Sequence, residues 1–173
     1  SWGASSNTTG FYGSDYLHDS NSDKGTKSVT LTPSIATTDV YGVYLRWASK
    51  SNRANNVPVD ITHNGGTTTV TVDQTQNGGV FNLLGVFQFD AGTSGNVRIR
   101  TTGTSGFVIA DAIQLVVVND SAAPAATLAS PANGASVTTT TMISNGYLDV
   151  TFTDDFAVLP SSITDSGAEF TLT

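Results

Sequence analysis

Short alternations of apolar and polar residues, closed by glycine and asparagine, run through the first two thirds of the chain. Ser28 to Thr32 places Val29 and Leu31 on one face. Val40 to Trp47 sets Tyr41, Val43, Leu45 and Trp47 on one face and Gly42, Tyr44 and Arg46 on the other, as the pleat of a strand requires. Val57 to His63 follows, then Asn64, Gly65 and Gly66, a hairpin signal. Thr67 to Val72 returns with Val70 and Val72 turned inward. Phe81 to Phe89 carries Phe81, Leu83, Gly85, Phe87 and Phe89 in period two. Val97 to Arg100 is short and half polar, and Phe107 to Val118 closes the series. About eight such strands at this spacing predict two facing sheets. No run of Ala, Leu, Glu and Lys predicts a substantial helix.

The pattern changes near residue 118. Residues 119–125 read as a linker, in which Ala122, Ala123 and Pro124 form a stiff spacer. Ala126 to Leu128, Tyr147 to Phe152 and Glu169 to Leu172 read as strands of a second module. About 50 residues are few for a sandwich, which takes about 100, so residues 126–173 are expected to be part of a module. The fold expected is all-β: one complete sandwich in residues 1–118, then the start of another.

Composition sharpens this picture. Charged residues make up 12% of the chain, about half the usual share, while Thr, Ser, Gly, Asn and Val abound. Cysteine is absent, so a packed core must supply the stability. No stretch approaches the roughly 18 apolar residues of a membrane span, and membrane insertion is not expected. The formal charge of −7 is uneven: residues 1–118 hold all seven Lys and Arg against eight Asp, whereas residues 119–173 hold six acidic residues and no basic one. Neither part offers the basic face a nucleic acid would need. The chain opens on Ser1 with neither a basic start nor a hydrophobic signal core, and is expected to be a fragment of a longer extracellular protein with neighbouring domains.

A resemblance narrows the class. The string Phe11 to His18, with Val43 to Trp47, Ser51 to Ala54, Asn56 to Val59 and His63, is followed by Val72 to Gln74, Gly78-Gly79, Leu83 to Phe87 and Val108 to Ala112. In this order, from about Trp2 to Val117, these motifs resemble the golvesin C-terminal-like domain, also described as xanthan-lyase carbohydrate-binding-like. The resemblance implies a jelly-roll β-sandwich appended to large secreted bacterial enzymes and surface proteins, with carbohydrate attachment as its role; it carries no ligand set to transfer. Ser130 to Gly134, Tyr147 to Phe152 and Ile163 to Phe170 resemble bacterial immunoglobulin-like repeats, which imply a spacer.

Candidate contacts follow from chemistry. An exposed ring stacks on the apolar face of a pyranose while polar groups fix its hydroxyls. Trp2, Tyr12 and Tyr16 lie in Gly/Ser-rich sequence, where they present a binding surface or plug one end of the sandwich. Tyr44 and Arg46 share the outward face of a strand, while Trp47 falls on its core face. Arg53, in a polar loop, suits an anionic polysaccharide through its planar fork, or braces the loop internally. Asp19, Asn21 and Asp23 resemble the start of a Ca²⁺ loop. Gly25 comes one position late, Lys24 intervenes and Thr30 stands where a bidentate Glu belongs, so a solvated turn is the other reading. Asp15, His18 and Asp19 are candidates for a cluster, and Asp111 in an apolar strand is expected to have a raised pKa or to receive loop amides. No Gly-x-Ser-x-Gly or His-Glu-x-x-His string is present, and the chain itself is not expected to be an enzyme. The leading expectation is a non-catalytic polysaccharide-binding module using Trp2, Tyr12, Tyr16, His18, Tyr44, Arg46 and Arg53. The alternative is a structural or adhesive spacer of a cell-surface protein that binds no sugar.

Overall fold

The computed structural model describes residues 1–118, 125–132, 134–136, 138, 140 and 149–153. They belong to two units, Ser1–Val118 and Asn119–Thr173.

In the first unit the period-two pattern decides which side chains meet. Val57, Val59 and Ile61 are wholly buried, while Pro58, Asp60 and Thr62 between them reach solvent. They lie on β5 (Val57–His63), which pairs with β6 (Gly66–Val72) through the predicted Asn64-Gly65 hairpin and with β8 (Asn96–Arg100) on its other side. β3 (Ser28–Leu31) completes a four-stranded antiparallel sheet ordered β3-β8-β5-β6. The second sheet is β10 (Ala112–Val117), β4 (Asp39–Arg46) and β7 (Asn82–Phe89), in that order. Tyr41, Val43 and Leu45 of β4 meet Val57, Val59, Ile61, Val97 and Ile99 in one core, with Phe89 set edge-on to Tyr41. Between them the two sheets form a β-sandwich, as expected.

Three features depart from the predicted strands. β1 (Gly3–Ser5) and β2 (Tyr16–His18) form in sequence read as loop, and with β9 (Ile109–Ala110) make a third small sheet. The long strand expected from Phe107 to Val118 is interrupted at Asp111, where the chain leaves β2 and joins β4. In β7, Val43 faces Gly85 but Tyr44 faces Leu83. One extra residue therefore sits in β7 as a bulge, and a one-residue slip exchanges the faces of a strand. Leu84 and Phe87 pack against the core, and Leu83, expected inside, stands 54% exposed beside Tyr44.

The second unit shows β11 (Ala125–Ser130) paired antiparallel with β12 (Asp149–Thr153). Residues 119–124 of the expected linker, Tyr147 and Leu148, and the expected strand Glu169 to Leu172 lie outside the described residues.

The loop read as a possible Ca²⁺ site is organised differently. Asp19 is fully buried; its Oδ1 accepts the Asn21 and Val108 amides, and its Oδ2 pairs with the Lys24 ammonium, which also reaches the Gly106 carbonyl. Lys27 binds the Asp19 carbonyl, Ser22 Oγ and Asp23 Oδ2. Asn21 and Asp23 are exposed, and no group of three or more His, Cys, Asp or Glu converges among the described residues. The two ammonium groups thus engage oxygens that the calcium reading of this loop would have turned toward a metal. Ser20, Asn21 and Asp23, left-handed at φ 60°, 52° and 53°, bend the loop around them.

Two outcomes are expected. Lys24→Met strands the buried Asp19 carboxylate and costs about 2–3 kcal/mol, toward the low end for a buried pair because Lys24 keeps some solvent contact. EDTA or added Ca²⁺ leaves the urea midpoint of the native chain unmoved, whereas a calcium-dependent midpoint would overturn this account of the loop. On the outer face of the four-stranded sheet, Arg100 binds Asp60 with both Nε (2.6 Å) and Nη2 (2.8 Å), and Thr69 adds a hydroxyl. The Arg100 hydrogen bond leads in holding Asp60 below its ordinary value of 3.8. A carboxylate lowered by folding stabilises fully above that ordinary value and loses its contribution as pH falls through the lowered one. Asp60→Asn therefore costs about 1 kcal/mol at pH 7, and the gap to the native chain closes in urea titrations toward pH 2.

Candidate functional site

Residues 6–15 connect β1 to β2 and carry Tyr12, one of the predicted contacts; Trp2, Tyr16 and His18 flank the loop. What holds this loop is Arg53. Its side chain is in the interior, the residue being 8% exposed. Nε donates to the Ala48 carbonyl at 3.2 Å, Nη1 to Asn52 Oδ1 at 3.0 Å, and Nη2 to Thr8 Oγ1 at 3.1 Å and the Tyr16 hydroxyl at 3.3 Å. The guanidinium also lies against the Tyr16 and Phe107 rings, 5.7 and 5.8 Å from their centroids. Of the two readings given for each residue, Tyr16, 4% exposed, follows the one that packs it into the sandwich, and Arg53 the one that makes it an internal brace. The Tyr16 hydroxyl and ring are among the partners that cover the Arg53 guanidinium.

His18 belongs to the same cluster. It stands over Gly3, across the β1–β2 ladder, and packs edge-on against Phe107 at 5.9 Å. A Cβ on Gly3 would come within 3.1 Å of the imidazole. Trp2 packs partly against the core, its indole N–H buried and without a hydrogen-bond partner. Trp47 is buried, as its strand face predicted, and donates Nε1–H to the Gln76 carbonyl at 2.9 Å.

The tip of the loop behaves differently. Tyr12 is 62% exposed, with its ring 5.8 Å from Phe81. Its amide donates to both oxygens of Asp111, at 3.2 and 2.9 Å. Arg46 donates Nε–H to the Gly10 carbonyl at 2.9 Å and lies over the Phe81 ring at 5.7 Å. Gly10 (φ +101°) comes so close to Gly79 that a Cβ would sit 3.1 Å from the Gly79 Cα, and this joins loop 6–15 to the loop before β7. That second loop is tied by Gly79 N–H to the Trp47 carbonyl and by Asn82 Nδ2 to the carbonyls of Asn77 and Val80.

The outward face of β10-β4-β7 carries Tyr44 and Arg46 on β4, opposite Gln114 and Ala112 of β10. The Tyr44 ring folds over Gly42: a Cβ there would meet Tyr44 Cε2 at 3.0 Å and Leu83 Cδ1 at 3.5 Å. Leu83, Val80 and Val116 are exposed on or beside this sheet, as is Tyr12. Burial pushes the Asp111 carboxyl above the usual carboxylate range; the Tyr12 amide and Arg46 oppose the rise, and Asp15 adds to it. The result is an apolar, ring-bearing surface with Asp111 and Arg46 at the Tyr12 end and Asp15 in the same loop as Tyr12. The sequence reading named Tyr12, Tyr44 and Arg46, and the structure places them on the same side. It separates them from Tyr16, His18 and Arg53. Phe81 and Leu83 fell in one period-two series with Phe87 and Phe89, and the bulge in β7 explains why Leu83 is turned outward. Asp111 receives a loop amide, as one reading of it proposed.

Among the described residues, hollows also lie elsewhere. A cleft of about 200 Å³ is lined by residues such as His63, Asn64, Phe89 and Asp90. An apolar groove of about 440 Å³ runs between Ile35 and the inward side chains Ile113, Leu115 and Val117 of β10. Neither hollow borders Tyr12, Phe81 or Tyr44.

Comparison with known proteins agrees with this architecture. The chain is 45% identical over 120 residues to a xanthan lyase of Bacillus sp. (strain GL1), covering 68% of this chain and 13% of that protein. Against the solved structure of a Paenibacillus xanthan lyase it superposes with a TM-score of 0.68 at 53% identity, over 68% of this chain and 11% of the other. A Podospora anserina GH26-CBM35 β-(1,4)-mannanase shares the fold at a TM-score of 0.53 and 20% identity, over 68% of this chain and 24% of the mannanase. Residues 1–117 match the model of the Golvesin C-terminal domain, and the chain belongs to that family.

Proposed function

We propose that residues 1–118 form a non-catalytic polysaccharide-binding module of an extracellular multidomain protein, and that the outward face of β10-β4-β7 is its contact surface. The observation that carries this reading is the exposed Tyr12 ring, paired with Phe81 and set beside Arg46 and Asp111. A ring accepts the apolar face of a pyranose, and the flanking carboxylate and guanidinium take its hydroxyls. Tyr44 and Leu83 extend the apolar surface along the sheet. An exposed ring at a loop tip favours this reading over that of a structural or adhesive spacer.

The relatives lend support. The chain spans a small fraction of proteins named for a lyase acting on xanthan, which fits an accessory domain of a longer polysaccharide-acting chain. No helix among the described residues is long and apolar enough to cross a membrane. The few titratable groups on the face sit around a bonded loop amide, an arrangement that holds a loop rather than one that passes protons to a substrate.

Tyr12→Ala is expected to weaken retention in polysaccharide affinity gels by at least about tenfold, and Tyr44→Ala by less, as for a central and a flanking contact. Circular dichroism and urea midpoints close to the native ones would accompany both, since neither ring is in the core. Unchanged retention in both variants would move the site elsewhere. No retention of the folded native chain by any gel would favour the spacer.

A further inference from the structure

Gly42 lies in the middle of β4 on the outward side of the sheet, and is nonetheless buried. What covers it is Tyr44. A Cβ at Gly42 would meet Tyr44 Cε2 at 3.0 Å and the Tyr44 hydroxyl oxygen at 3.5 Å, with Leu83 Cδ1 also at 3.5 Å. Two atoms of one ring edge at that range lay the ring lengthwise on the sheet, where an upright ring would bring only its root near. A glycine inside a strand weakens it and marks a close approach; here the space it leaves seats a ring. Tyr44 is only half buried, so ring surface stays turned outward. Beside it stand Leu83 of β7 and Gln114 of β10, the latter exposed and with no hydrogen bond to its side-chain amide among the described residues.

This second ring is set apart from the first. Tyr12 and Phe81 stand at the Arg46 end, and β4 runs about 13 Å from Arg46 to Gly42 at the rise of a strand. That is more than a single pyranose spans. Exposed Leu83 lies opposite Tyr44 and exposed Val116 opposite Gly42, so apolar surface continues beside the rings. A site for a lone sugar or a chain end encloses its ligand in a concavity. A sheet face instead offers contact along its length and leaves both ends of a ligand free. Contacts to one sugar are weak, and two sets of them filled by one chain act together.

Building on the polysaccharide-binding reading above, we infer that this face holds an internal stretch of glycan chain on two stacking platforms. One is Tyr12 with Phe81; the other is Tyr44 seated on Gly42. Gln114, whose amide both donates and accepts, takes hydroxyls of the sugar on the second platform. Gly42 is a positioning residue: it acts on the sugar only through the ring it seats.

Competition in affinity gels of hydroxyethyl cellulose, guar galactomannan and xanthan tests this with the whole chain. The competitors are size-fractionated partial acid hydrolysates of the polymer in each gel. From disaccharide to hexasaccharide fractions, potency mole for mole is expected to rise at least about tenfold, and borohydride reduction of the fragment ends to leave it unchanged. Gly42→Val displaces the Tyr44 ring without altering it, on an outward face where a β-branched residue suits the strand. It is expected to remove most of that rise, as Tyr44→Ala does, with circular dichroism unchanged; Gln114→Ala removes part. Should Gly42→Val fail to fold, Tyr44→Ala and Gln114→Ala make the same comparison. A disaccharide as potent as a hexasaccharide, or potency lost on end reduction, overturns the inference. If Tyr12→Ala still abolishes retention in that case, the polysaccharide-binding face stands and only its reach is wrong. Native length dependence in Gly42→Val and Tyr44→Ala alike overturns the second platform. No retention by any gel overturns both readings.

Discussion

The Arg53 guanidinium is the constraint on which this end of the molecule depends. It is a buried cation with no carboxylate among its described partners. Desolvating a charge costs several kcal/mol unless hydrogen bonds and polarisable neighbours replace the water. Here they do: a carbonyl, an amide oxygen and two hydroxyls receive its N–H groups, and two ring faces cover it. A lysine could not substitute, because its point charge lacks the planar fork that reaches Thr8, Tyr16, Ala48 and Asn52 together. The backbone around it is equally closed. Phe107 N–H reaches the Asn52 carbonyl and Ala54 N–H the Phe107 carbonyl, and a Cβ on Gly106 would sit 2.8 Å from the Arg53 carbonyl carbon. Three segments distant in sequence thus share one cation.

That brace turns a flexible-looking loop into a presenting surface. Residues 6–15 are rich in Ser, Thr and Gly, and such a segment left free would lose conformational entropy each time it bound. Arg53 fixes it at Thr8 and Tyr16, Arg46 at Gly10, and Asp111 at Tyr12. Of its two rings, Phe11 is half buried and only that of Tyr12 is left exposed. On the proposed reading the loop is ordered before a ligand arrives, so the contacts of that ring go into affinity.

The strands were legible in the sequence because burial writes itself in period two. Val57, Val59 and Ile61 need no context to be read as core, and Asn64-Gly65 needs none to be read as a turn. The bulge in β7 was not legible: nothing in the run from Phe81 to Phe89 marks where one residue is added, yet that residue sends Leu83 outward. Arg53 was legible in type but not in direction. The same fork serves an external anion or an internal brace, and only its depth decides between them. In the 19–27 loop the departures from the calcium pattern were the informative part. Lys24, which spoiled the match, is the residue whose ammonium closes the loop on Asp19.

Topology, finally, explains why the proposed site lies where it does. At Asp111 the chain passes from β2 to β4, so this residue belongs to neither ladder. A side chain at such a hop is free of the pleat that would otherwise point it into the core or directly away. Asp111 uses that freedom to accept the Tyr12 amide, at the point where the small sheet meets the large one. The desolvation that raises its pKa comes from the same position, half covered by the loop it holds. Moving the hop by one residue would carry Ala110 or Ala112 to this point, and neither could anchor the loop. The aromatic face therefore depends on a carboxylate at the change of partner as much as on the rings themselves.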